Sequence, residues 1–102
     1  MPDPKPLARL KHSVTYGNIW LSALSLMKKK KVYAYALPGQ IAKKFGYSPS
    51  KLMTYFVLYK LEDERLISAA FEGRRKYYEL TAKGKEVLSN GKKMLASLSA
   101  RL

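Results

Sequence analysis

The sequence predicts a small domain of the mainly helical α+β class, with three helices, then a two-stranded hairpin, then a long final helix. The chain has 102 residues, of which 47% are hydrophobic. That is enough for one compact core and too little for two. Apolar residues recur at helical spacing before residue 65 and at a period of two after it, and this switch predicts a hairpin that follows a set of helices.

Three prolines mark the N-terminal segment, at positions 2, 4 and 6. Because proline does not fit a helix interior, we expect a flexible or extended arm over residues 1–12. The segment lacks the basic-then-apolar order of a secretory signal. The longest mostly apolar run, residues 18–27, is about half of what a membrane-spanning helix needs. We therefore expect a cytoplasmic protein that does not bind membranes.

The first two predicted helices are short. The first runs over residues 16–27 and is followed by four lysines at 28–31, which suit the negative C-terminal end of a helix. The second spans residues 38–45. Gly46 is expected to end it in the left-handed conformation.

The third predicted helix has the clearest start in the chain. Ser48 is the expected N-cap and Pro49 the first helical residue, and the helix continues to about Glu64. Tyr55, Leu58 and Leu61 are expected to form its core-facing stripe. The other polar positions would then face outward.

After Arg65 the pattern alternates, with a turn at Glu72-Gly73 and a return strand that includes Tyr78 and Leu80. Thr81 is the expected cap of the last helix. That helix carries leucines at heptad-like spacing, a seam that so small a domain cannot easily bury and that predicts a partner helix. The predicted dimerisation residues are Leu88, Leu95, Leu98 and Leu102.

This order of elements is that of a winged helix-turn-helix, here expected over residues 13–80, with a dimerisation helix over residues 81–102. The run RRKYYELTAKGK at 74–85, together with YFVLYKLE at 55–62 and Leu66-Ile67, closely resembles the PadR-like family of transcriptional regulators. The resemblance covers most of the chain from about Val14. Its most specific part is the pattern R-K-Y-Y-x-L-T-x-x-G.

The resemblance implies a homodimer that binds double-stranded DNA. The third helix would enter the major groove, the hairpin wing would contact the flanking backbone or minor groove, and the last helix would pack on its twin. Two features depart from many family members. The wing, at residues 72–75, is very short, and the dimerisation part is a single helix of about twenty residues.

Charge independently favours a polyanionic partner. The chain has 20 lysines and arginines against 7 acidic residues, a net charge of +13, and residues 4–61 contain no carboxylate. A membrane-surface helix would concentrate its cations on one face, whereas here they are spread over several segments. The residues predicted to contact DNA are Gln40, Lys43, Lys44, Ser48, Ser50, Lys51, Thr54, Lys60, Arg74, Arg75 and Lys76.

Other classes of site are not expected. Cysteine is absent and His12 is the only histidine, which excludes disulfides, thiolate zinc sites and Cys/His dyads. The acidic cluster at 62–64 points in several directions, so we predict no metal, no cofactor and no enzymatic activity. The tyrosines at 55, 59, 77 and 78 are expected in the core rather than stacked on single-stranded bases. A small aromatic effector near Trp20 is suggested only by the resemblance.

Two functions remain open at the level of sequence. The first is a homodimeric, sequence-specific DNA-binding regulator, best understood as a repressor and associated with the nucleoid. The alternative is an architectural, chromatin-like protein that coats DNA with little sequence preference, which the net charge of +13 favours.

Overall fold

The computed structural model describes residues 2–102 and confirms the mainly helical winged helix-turn-helix class. The helices are α1 (Lys5–Ser13), α2 (Ile19–Leu26), α3 (Leu37–Phe45), α4 (Lys51–Asp63) and α5 (Ala82–Arg101). The strands are β1 (Val32–Tyr33), β2 (Ile67–Glu72) and β3 (Arg75–Leu80). Short 3₁₀ turns at Tyr16–Asn18 and Ala34–Ala36 precede α2 and α3. Within residues 2–102, no helix combines the length and apolar character needed to cross a membrane.

One hydrophobic core lies where α2, α3 and α4 pack together against the sheet. Its fully buried large side chains include Leu24 of α2, Leu37 and Ile41 of α3, Leu58 of α4 and Ile67 of β2. Each helix contributes one apolar face, so the opposite faces of α3 and α4 are left to solvent. The core therefore fixes which side of α4 is available to a partner.

The predicted flexible arm is wrong, because residues 5–13 form α1. Pro4 occupies the N-cap position of this helix, and Pro6 lies in its first turn, where a missing N–H costs nothing. Lys11 forms an ion pair of 2.5 Å with Asp3, which lies just before the helix. No residue of α1 is buried, so the helix lies on the outside of the domain.

The cap of α4 is Ser50 rather than the predicted Ser48. The Met53 N–H donates to the Ser50 hydroxyl oxygen at 3.1 Å, whereas Pro49 precedes the helix and is buried. The helix ends at Asp63, and Arg65, two residues beyond that end, adopts a left-handed φ of 62°. Its N–H donates to the Glu62 carbonyl at 2.9 Å, one of the two hydrogen bonds that define a Schellman end.

The hairpin is part of a three-stranded antiparallel sheet of order β1-β3-β2, so the prediction of only two strands is incomplete. Strand β1 pairs with β3 through Val32↔Tyr78 and Tyr33↔Tyr77. The wing turn consists of Gly73 and Arg74, with Gly73 at a φ of 61°. This positive φ is what the first central residue of a tight hairpin turn requires.

The last helix begins as predicted, since the Thr81 hydroxyl accepts a hydrogen bond from the Gly84 N–H at 3.0 Å. A Cβ at Gly84 would overlap the Leu66 carbonyl oxygen, so this glycine permits α5 to lie against the start of β2. Leu88 is buried in the domain's own core. It is therefore not part of the dimerisation seam predicted for it.

Candidate nucleic-acid interface

The exposed face of α4 differs in phase from the prediction. Thr54 is completely buried, and its hydroxyl donates to the Ser50 carbonyl at 2.8 Å. Tyr55, expected in the core, is exposed instead. The buried stripe is therefore Thr54, Leu58 and Leu61, and Thr54 cannot contact DNA as predicted.

What α4 presents to solvent is a mixture of cations and large apolar side chains. Leu52 is 80% exposed and Tyr59 is 70% exposed, so the predicted burial of Tyr59 is also wrong. Lys51 lies at the first position of the helix, and Lys60 places its Nζ 4.6 Å from the centre of the Phe56 ring. This surface offers both apolar contacts and charged donors.

The end of α3 adds further cations beside α4. Lys43 and Lys44 occupy its last turn and are exposed, whereas Gln40 is half-buried. Gly46 ends the helix at a φ of 75°, as predicted. Ser48 is exposed in the turn before α4, and its main chain is held by the Tyr16 hydroxyl, which accepts from the Ser48 N–H at 3.2 Å.

The three basic residues predicted to contact DNA from the wing do not share one environment. Arg74 and Arg75 are exposed, and neither forms an ion pair within the described part of the chain. Lys76 turns back toward α4 and lies 3.6 Å from a Glu62 carboxylate oxygen. A hydrogen bond with Tyr78 raises the pKa of Lys76, and the Glu62 carboxylate adds to this effect. Lys76 therefore ties the wing to α4.

A row of aromatic rings, the tyrosine strip, joins the start of α4 to the wing. It consists of Tyr33, Tyr35 and Tyr77, with centroid distances of 6.0 Å between Tyr33 and Tyr35 and 5.5 Å between Tyr33 and Tyr77. The Lys51 Nζ lies 2.9 Å from the Tyr35 hydroxyl, and the Arg75 guanidinium lies 5.1 Å from the centre of the Tyr33 ring. Lys51 thus stands at the Tyr35 end of the strip, and Arg75 stands over its middle ring.

Sequence reasoning missed Tyr33 and Tyr35. The strand that carries Tyr33 has only two residues, too few to show a period. Tyr77 was expected in the core and is half-buried. The one local signal was the alternation Val32-Tyr33-Ala34-Tyr35, in which the two non-aromatic residues are buried.

The C-terminal part of α5 carries an unpartnered apolar stripe. Leu95, Leu98 and Leu102 are exposed, Leu102 almost fully at 97%, and Met94 lies beside them. A Cβ at Gly91 would lie 2.9 Å from the Trp20 ring, so the helix is in contact with the domain up to this residue. Beyond Gly91, every residue of α5 is exposed.

Comparisons with known proteins agree with this architecture. The family model described as the transcriptional regulator PadR-like family matches residues 23–90. No curated protein matches the chain. A PadR family transcription regulator from Clostridium difficile is 26% identical, with a TM-score of 0.76 over 82% of this chain and 93% of that one.

Two Bacillus structures are similar at the same identity. A PadR-like regulator from Bacillus cereus is 26% identical, with a TM-score of 0.75 over 89% of this chain and 91% of that one. Bacillus subtilis PadR, solved in complex with operator DNA, is 26% identical, with a TM-score of 0.62 over 71% of this chain and 46% of that one. Since the family model spans two thirds of the sequence, this chain belongs to the PadR-like family of transcriptional regulators.

Proposed function

We propose that this protein is a homodimeric, sequence-specific regulator of transcription that binds double-stranded DNA and acts as a repressor. The observation that carries the proposal is the continuous surface formed by the exposed face of α4 and the basic wing. This surface has cations at Lys51, Arg74 and Arg75 and is joined by the tyrosine strip. The structure of Bacillus subtilis PadR with operator DNA supports the choice of ligand.

In this proposal α4 enters the major groove. An α-helix fits that groove, and its N-terminal residues approach the bases most closely. Leu52 and Tyr55 can contact thymine methyl groups there, and Lys51 supplies a cation at the start of the helix. Ser50 is exposed beside them, although its hydroxyl already serves as the helix cap.

The wing and α3 would contact the backbone. Arg74 and Arg75 extend from the hairpin turn and suit phosphates or a narrow minor groove. Lys43, Lys44 and the half-buried Gln40 are suited to positioning contacts with phosphate rather than to base recognition. Lys60 and Lys76 contribute less directly, because Lys76 is held by Glu62 and Lys60 stands over Phe56.

A second copy of the chain would cover the apolar stripe of α5. Leu95, Leu98 and Leu102 recur at a spacing that places them on one face of the helix. Pairing of two such helices would set the distance between two α4 helices. Half-sites about one turn of DNA apart are then expected.

The decisive experiment compares two duplexes of equal length by fluorescence anisotropy, one taken from the region upstream of this gene and one scrambled, each at several salt concentrations. A specific regulator that acts on its own promoter should bind the upstream duplex about a thousandfold more tightly. Equal affinities that fall together with salt would favour the architectural alternative. A genomic selection of bound sequences then distinguishes that alternative from an operator at another locus.

The dimer is tested separately with the double variant Leu95→Gln, Leu98→Gln. Both side chains are exposed in the single chain, so the domain should fold normally and sediment as a monomer. Leu52→Gln removes a leucine of α4 that is even more exposed, at 80%, and should leave the oligomeric state unchanged. A double variant that sediments as a dimer would contradict the assignment of the stripe.

A further inference from the structure

We propose that the Tyr35 hydroxyl and the Lys51 ammonium form one composite site for a single phosphodiester group of the DNA backbone. Lys51 was a candidate contact by sequence, whereas Tyr35 was not. The inference rests on the proposed function for its ligand, duplex DNA. It does not depend on sequence specificity, because every phosphate is chemically alike.

The two donors lie close together and both are accessible. The Lys51 Nζ donates to the Tyr35 hydroxyl oxygen at 2.9 Å and lies 4.2 Å from the centre of its ring. The ammonium retains two further N–H donors, and the hydroxyl, while it accepts from Lys51, keeps its own proton to donate. Tyr35 is 56% exposed. An N–H and an O–H can therefore reach oxygens of the same phosphate.

No carboxylate competes for this site within the described part of the chain. Lys51 forms no ion pair there, and Glu72 of the wing is held by Lys31 at 2.8 Å. The hydrogen bond from Lys51 lowers the pKa of Tyr35, and the same contact raises the pKa of Lys51. The ammonium therefore stays charged throughout the neutral range.

The tyrosine strip fixes where this site lies relative to the wing. Tyr33 and Tyr77 are register partners on β1 and β3, so their rings are anchored to the sheet. Tyr35 follows Tyr33 by two residues, and Arg75 stands over the Tyr33 ring. A phosphate bound by Tyr35 and Lys51 and a second one bound by Arg75 would be held at a constant separation.

The test measures the affinity of the wild type and three variants for one labelled duplex by fluorescence anisotropy at several salt concentrations. Tyr35→Phe keeps the ring and should weaken binding about fivefold with an unchanged salt dependence, because no cation is lost. Lys51→Ala should weaken it further and reduce the slope of log K against log salt by about 0.9. The double variant should bind within about twofold of Lys51→Ala, because both changes remove one site.

Two controls match these changes away from the interface. Tyr47→Phe removes a buried hydroxyl that donates to Ser22 at 2.9 Å, and its affinity for the duplex should stay within about twofold of wild type. Lys85→Ala removes one exposed cation from α5 and should have a smaller effect than Lys51→Ala. Thermal unfolding of each variant shows whether the fold is intact at the assay temperature.

The proposal is overturned if Tyr35→Phe binds like Tyr47→Phe, or if the effects of Tyr35→Phe and Lys51→Ala multiply in the double variant. These outcomes are distinct from failure of the proposed function. Equal wild-type affinity for the upstream and scrambled duplexes would refute specific regulation and still permit the variant comparison. A strong preference for one duplex with an unaffected Tyr35→Phe would refute only the phosphate site. Absence of any duplex binding would overturn both.

Discussion

Replacement of Arg65 by glycine should stabilise the fold. Arg65 adopts a φ of 62° at the end of α4, where the Leu66 N–H donates to the Leu61 carbonyl at 3.0 Å. A residue with a Cβ loses about 1–2 kcal/mol in this conformation, and glycine's greater freedom in the unfolded chain offsets about 0.5–1 kcal/mol of the gain. We therefore expect Arg65→Gly to raise the free energy of unfolding by about 0.5–1 kcal/mol.

Urea unfolding followed by circular dichroism measures this change, at one fixed protein concentration so that any association affects every variant equally. Thermal unfolding should shift upward by about 4 °C in a domain of this size. Arg65→Ala is the matched control, since it removes the same charge and keeps the Cβ. If Arg65→Ala stabilises as much as Arg65→Gly, the gain comes from charge and the reasoning from backbone conformation is refuted.

Three further predictions concern the core and its titration. Gly84→Ala should lower the free energy of unfolding in urea by about 2 kcal/mol or more, because its Cβ would overlap a main-chain carbonyl; an unchanged free energy of unfolding would contradict the close approach of α5. Thr54→Val should cost about 1 kcal/mol of stability and leave the preference between duplexes unchanged, because the side chain is buried; altered preference would restore Thr54 to the interface. Burial raises the pKa of both Tyr47 and Tyr78. The two hydroxyls therefore lose their protons at a lower pH in the unfolded chain than in the folded protein. The free energy of unfolding, measured in urea across a pH series, should fall as pH rises above about 10; a flat profile would contradict this expectation.

Helix ends and turns that depend on the conformational preference of a single residue were predictable from the sequence. Gly46 ends α3 in the left-handed conformation, Gly73 makes the wing turn, and Thr81 caps α5. Each of these depends on a property of one residue and its immediate neighbours. Such features do not require knowledge of what packs against them.

The phase of α4 was not predictable in the same way. Positions 54 and 55 both fall within helical spacing of Leu58, and hydrophobicity favoured Tyr55 for the core. Thr54 is buried instead, which is possible because its hydroxyl donates to the Ser50 carbonyl one turn earlier and leaves no unpaired donor. The choice between the two positions is made by neighbouring elements, which the pattern within one helix does not contain.

Which leucines of α5 lie in the core could not be predicted from their spacing alone. Leu88 and Leu95 are one heptad apart, yet Leu88 is buried in the domain and Leu95 is exposed. The boundary falls at Gly91, whose lack of a side chain lets the helix lie against Trp20. One periodic stripe thus serves two purposes, the core before this glycine and an unpartnered surface after it.

The distribution of charge bears on how specificity would be achieved. The surface of α4 and the wing has only part of the cationic excess, because Lys5 and Arg9 lie on α1, and Lys92 and Lys93 lie on α5. The additional cations on α1 and α5 strengthen attraction to any duplex, and this attraction weakens steeply with salt. Base contacts from α4 do not weaken in proportion, so the ratio between specific and scrambled affinities is the quantity that distinguishes a regulator from a coating protein. Affinity at low salt does not distinguish them, since both would bind tightly.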